Sequence, residues 1–167
     1  MAIVQSLLPE FDHEMKTTRS LIALVPDADA SWKPHAKSSS IGGLALHIAE
    51  LAGYAVATMR QTELDLTPGR DGRAAREFVS AAENTAVFDR NVAEARAAIA
   101  GGSDDDLMVP WSLKGGGRTV FTMPRIVVLR TFIFNHMIHH RGQLSVYLRL
   151  RDVPLPSIYG PTADSPM

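Results

Sequence analysis

The chain has 167 residues, no cysteine and a formal net charge of −1, with 46% hydrophobic and 21% charged residues. That length and balance suit a single domain over residues 1–167, able to bury about two thirds of its unfolded surface. They exclude a disulfide scaffold, thiolate ligands and a cysteine nucleophile from the chain itself, and they argue against a general nucleic-acid binder, which carries a basic face.

The opening "MAIVQSLLPEFDHEMK" lacks a basic start and a long apolar stretch, so it does not read as a signal peptide. No apolar run approaches the ~20 residues that cross a bilayer. A soluble, cytoplasmic protein without a membrane or nucleic-acid partner is the expectation.

Leu7, Leu8, Phe11, Met15, Thr18, Leu21, Ile22 and Val25 recur by threes and fours, which predicts a first helix over 3–25, ended by Pro26. The segment "PDADASWKPHAKSSS" reads as a loop from its prolines and serines. A second helix over 39–60 starts at a serine able to accept from first-turn amides. It presents Leu44, His47, Ile48, Leu51, Tyr54 and Ala55 on one face. A third is predicted over 72–100, with Ala75, Phe78, Val79, Ala82, Ala86, Phe88 and Val92 on its face and a glycine stop in "ARAAIAGG".

The stretch "GGSDDDLMVPWSLKGGGRTVFTMPR" is then a long loop, of the kind that is functional or locally structured, and its "TVFT" is a candidate short strand. A fourth helix is predicted over 123–151, opened by Pro124. The proline-rich tail "VPLPSIYGPTADSP" cannot continue it. Arg125, Arg130, Arg141, Arg149 and Arg151 read as a solvated helix face. The pattern predicts an all-α fold, a four-helix bundle with a long loop between helices 3 and 4. Met15, Leu21, Leu51, Phe78, Val92, Leu129 and Phe132 are its expected core. Extra apolar residues at Val127, Val128 and Val146 predict a homodimer through the third or fourth helix.

Three of the six histidines fall in "NHMIHHRGQL". His136 and His140 lie about 40° apart in direction on a helix and can grip one metal ion, as i, i+4 pairs do. Spacing favours this pair and leaves His139 open. His47 lies on the apolar face of the second helix, and imidazoles sent into one core from two helices are hard to satisfy without a shared ligand. Met137 stands where a metalloprotease would carry its general-base glutamate, so a hydrolytic base would have to come from elsewhere.

The strings "IGGLALHIAEL", "NHMIHHRGQLSVYLR" and "VPLPSIYGPTAD", with "DASWKPHAKSSS" before the second helix, together resemble the DinB family over nearly the whole chain. The resemblance implies a DinB/YfiT-like four-helix bundle, commonly dimeric, with one divalent metal held by three histidines. The matching positions are His47, His136 and His140, the histidine directly before Arg-Gly-Gln being the ligand. His13, His35 and His139 are then not ligands.

Three neutral imidazoles leave an ion with an open position, the arrangement of a catalytic site. Imidazole suits nickel, zinc, copper and iron alike, with nickel and zinc the leading expectations. Some relatives are similar to transferases or isomerases that use a low-molecular-weight thiol such as mycothiol, bacillithiol or glutathione. That implies a metal-dependent thiol S-transferase acting on a small-molecule substrate, and the missing cysteines are compatible with it. The alternatives are a metal-dependent hydrolase, with Glu50 or Gln143 orienting water or supporting an imidazole, and a non-catalytic metal-binding stress-response protein.

Overall fold

The computed structural model describes residues 2–67 and 76–166. Four long helical rods dominate it: α1 (Ile3–Ile22), α2 (Ile41–Arg60), α3 (Ala81–Ala100), and a final rod. That rod runs from α5 (Arg125–Val128) through a π-helical segment (Leu129–Asn135) into α6 (His136–Leu150). α2 lies centrally, packed along α3 and against α6, while α1 packs on α3 and α6.

Ser40 caps α2 by accepting the Gly43 amide at 3.1 Å. Just inside that cap, the Gly42 amide donates to the Ala30 carbonyl at 3.0 Å. A Cβ on Gly42 would stand 2.9 Å from that oxygen, so only glycine lets the loop approach so closely. Among the described residues α2 is the one helix long and apolar enough to cross a membrane, contrary to the expectation of no such run. Two thirds of its apolar window is buried inside the bundle, so its composition is that of a core helix.

The third helix begins at Ala81, not near residue 72. Ser80 caps it by accepting the Glu83 amide at 3.1 Å, and residues 76–80 are not helical. Positions 72–75 of the expected helix, Ala75 included, lie outside the described residues. The long stretch after α3 is folded. Ser103 and Asp106 form a capping box that opens a short helix α4 (Asp104–Met108). Two strands follow, β2 (Pro110–Gly115) and β3 (Arg118–Pro124), the second containing the expected "TVFT" strand.

These strands pair antiparallel across Gly116 and Gly117, both at positive φ as a tight hairpin turn needs. A short strand β1 (Glu63–Asp65) adds to β2 in parallel. The sheet closes a second small core of Trp111, Leu113, Leu64, Ala57 and Val128. Val128 is therefore buried and cannot serve a dimer face as expected, whereas Val146 is exposed.

Met15, Leu21, Leu51 and Leu129 are buried as expected, and Phe78, Val92 and Phe132 are half-buried against the main core. The arginine group is not one solvated face. Arg130, Arg149 and Arg151 are outside and paired with Glu10, Asp164 and Asp29, but Arg125 and Arg141 are buried.

Candidate metal centre

α2 and α6 run side by side and bring His47, His136 and His140 together. One nitrogen from each lies within 4.8 Å of the other two. Among the described residues no other group of three histidine, cysteine or acidic side chains converges in this way. The ring centroids are 4.6 Å apart for His136–His140, 4.7 Å for His47–His140 and 5.2 Å for His47–His136. All three side chains are half-buried.

The apolar seam of the last helix does not pass through the histidines. It runs through Leu129, Ile133, Met137, Arg141, Leu144 and Leu148, all buried. His136 and His140 sit one position to its side, turned toward α2. The π-helical segment directly before His136 sets this offset, because its wider turns rotate the downstream residues relative to an α-helix. Such segments occur frequently at functional sites.

Local hydrogen bonds fix the two imidazoles of α6. His136 Nδ1 is 3.2 Å from the Phe132 carbonyl, which can only accept, so this nitrogen carries the proton. His140 Nδ1 is 2.7 Å from Gln143 Oε1 and donates to it likewise. The proton-free Nε2 atoms then face each other at 2.9 Å. Two lone pairs at that distance repel unless a cation stands among them.

Protonation of His47 or His136 is a poor remedy. Burial, and then the neighbouring His140 and His136, push the His47 pKa down from 6.5 to about 4. The His136 pKa is lowered too, by burial first and then by His140. Three imidazoles converging on one place, two of them held in the tautomer that turns Nε2 inward, fit a divalent ion of borderline softness.

His139 is exposed. Its ring touches that of His140 at 5.1 Å and lies outside the group of three. His13 is exposed, as is His35, whose Nδ1 accepts the Lys37 amide. Gln143 serves His140, whereas Glu50 is half-buried one turn beyond His47 and has no hydrogen bond or ion pair among the described residues. Beside the histidines stands an aromatic wall. Phe132 lies 5.8 Å from the His136 ring, with Phe121 of β3 and Tyr54 of α2 at 5.7 and 6.0 Å from Phe132. A cavity of about 480 Å³ lined by Leu46, Phe78, Asn84 and Arg90 includes none of the three histidines.

Sequence reasoning missed a second polar cluster, next to the first. Arg141, 1% exposed, forms an ion pair with Glu14 of α1 at 2.7 Å and donates to the Glu14 carbonyl and to Thr18 Oγ1. The Tyr159 hydroxyl, from the tail, accepts from Arg141 at 2.6 Å and donates to the Glu14 carboxylate at 2.9 Å. A signal was available: Glu14 falls between Phe11 and Thr18, and Arg141 between Met137 and Leu144, so each places a charge on an apolar stripe.

The sequence model of the DinB superfamily matches residues 10–144. A DinB-like protein from Bacillus cereus ATCC 10987 superposes with a TM-score of 0.70 at 22% identity, covering 95% of this chain and 98% of its own. A DinB-like protein from Bacillus subtilis superposes with a TM-score of 0.68 at 15% identity, covering 97% and 99%. At these identities the likeness speaks for the fold. No curated protein matches the sequence.

Proposed function

The chain belongs to the DinB superfamily, and from that premise we propose that His47, His136 and His140 hold one divalent ion at a centre serving a low-molecular-weight thiol transferase. The observation that carries the reading is the convergence of three imidazoles, two of them held by their Nδ1 protons so that their Nε2 atoms face each other. An ion bound by neutral imidazoles alone supplies a full positive charge with an open position, which lowers the pKa of a bound water or thiol.

The chain's own residues do the rest. Gln143 and the Phe132 carbonyl keep His140 and His136 in their ligating tautomers. Phe132, Phe121 and Tyr54 keep bulk water from one side. With no cysteine in 167 residues, any thiol nucleophile has to arrive with a bound cofactor. Nickel or zinc is the ion we infer for this donor set. The setting we infer is a cytoplasmic homodimer, with a face that includes the exposed Val146.

Glu50 supports a second reading. This half-buried carboxylate, unpaired among the described residues and one turn from His47, is placed to act as the base of a hydrolase. The two separate by calorimetric titration of metal-loaded protein with mycothiol, bacillithiol and glutathione, followed by turnover of thiol-reactive electrophiles and of simple esters. Saturable thiol binding that is lost in His140→Ala supports the transferase. Silence toward every thiol, with ester hydrolysis abolished in Glu50→Gln, would replace it with the hydrolase.

A further inference from the structure

We propose that Arg141 is a positioning residue: its buried pairing with Glu14, closed by Tyr159 from the tail, sets the rotational register of α6 and so aims His136 and His140 at His47. The proposal rests on reading those histidines as metal ligands.

Three observations meet here. First, Arg141 follows His140 directly, so the two point about 100° apart on the helix. One faces α1 and the other α2, and any rotation of α6 that moves one moves both. Second, the guanidinium is held on several sides. It touches the Glu14 carboxylate at 2.7 Å, the Glu14 carbonyl at 3.1 Å, Thr18 Oγ1 at 3.2 Å and the Tyr159 hydroxyl at 2.6 Å. With Arg141 1% and Glu14 7% exposed, turning the helix would strand a charge away from water. Buried ion pairs add little to stability beside an apolar replacement, and their best-attested use is to fix a register.

Third, α6 is entered through a seven-residue π-helical segment, Leu129–Asn135. Tightening it to α-helix would carry the following residues round by about one residue, or 100°. Within that segment the Thr131 hydroxyl returns to the Val127 carbonyl at 2.7 Å, Arg130 pairs with Glu10 at a partly exposed site, and no side chain caps it. Arg125 holds the rod upstream of the segment, and Arg141 is the buried charged anchor downstream of it, on the side of the histidines.

The test uses the double variant Glu14→Leu/Arg141→Met, which swaps the pair for apolar groups of similar length and separates positioning from stability. Cobalt(II) is titrated into the full chain, reading the visible d–d bands and the dissociation constant. The variant is expected to stay helical and cooperative, to bind cobalt at least tenfold more weakly and to show altered bands. Tyr159→Phe, which keeps the ring and both charges, should weaken binding about threefold. Wild-type affinity and bands in both variants would overturn the proposal. If the double variant does not fold, Tyr159→Phe decides alone, with unchanged bands and affinity counting against it.

Should the wild type bind no cobalt, the ligand reading fails by itself. Register is then read in metal-free protein by amide exchange over residues 129–136. Exchange at least tenfold faster in the variants sustains the positioning role, and unchanged exchange removes it.

Discussion

His140 and Arg141 are neighbours in the chain, yet the clusters built around them differ in kind. Around Arg141 a cation, a carboxylate and a hydroxyl complete one another within hydrogen-bonding distance. Around His140 three like groups gather, with two acceptor nitrogens 2.9 Å apart and no carboxylate among them. The first buries both its charges and is closed by an otherwise exposed tyrosine, and the second is half-buried and open. Burial alone therefore does not mark a functional site. A polar cluster whose members cannot satisfy one another does, because it is complete only with something from outside.

The open cluster should give the strongest response to mutation. In protein purified without tag or added metal, elemental analysis should find about one divalent ion per chain. His47→Ala, His136→Ala and His140→Ala should each lose it almost entirely, and His139→Ala should keep it. Full retention in His140→Ala would dissolve the centre, and the contrast with it.

For the closed cluster, removing one partner is expected to do more harm than removing both. Glu14→Ala or Arg141→Ala alone should cost about 3–5 kcal/mol in chemical denaturation, since each leaves a buried charge unpaired. A cost near zero for either would place the pair in solvent.

Acid separates the two clusters further. The His47 pKa falls from 6.5 to about 4 on folding, and that of His136 falls too. Between these values the unfolded chain binds more protons than the folded one, so stability rises with pH there. Metal-free protein should thus lose stability as pH drops from about 6.5 toward 4, and His47→Leu should flatten that slope. An identical slope in the variant would mean that His47 is not held neutral by its surroundings.

The weakest responses belong outside both clusters. Ser80→Ala should cost about 1 kcal/mol through the lost cap of α3. Breaking the exposed Arg19–Asp89 pair should cost less than losing that cap, and the loss should shrink as salt is added. Both are measured by urea denaturation.

Much of this was legible in the sequence, for identifiable reasons. Apolar residues at helical spacing, with Pro26, Ser40 and the glycines after Ala100 as punctuation, marked the rods. The DinB superfamily match and the helical bundle bear out the resemblance and the fold it implied. The meeting of His47, His136 and His140 followed from helical direction together with the family pattern, and the structure brings those three side chains into one group.

The features that escaped have no local periodicity. Phe78 and Val79 prolonged the apolar count past a start that "SAAE", serine with glutamate three residues on, would have announced. The pairing of Glu63 with Ser112 joins distant segments, so neither short strand carries a pattern of its own. The π-helical segment departs from α spacing by about one residue, too little to see in a sequence, yet enough to turn the residues that follow it. Charges on apolar stripes were visible at Glu14 and Arg141 but not recognised as partners, being 127 residues apart.

That separation has a consequence for how the protein is born. The Tyr159–Glu14 bond spans 145 residues, so Glu14 is made well before its partner. At ~5–20 residues per second, roughly 7–30 s pass between synthesis of Glu14 and of the tyrosine that closes over it. For most of that interval α1 has an acidic residue on its apolar stripe and no Arg141 guanidinium to receive it. Contact order is high at the very place where these two segments meet, so closure is a late, non-local event in folding. The nascent bundle thus stays unfastened until Tyr159 has been made.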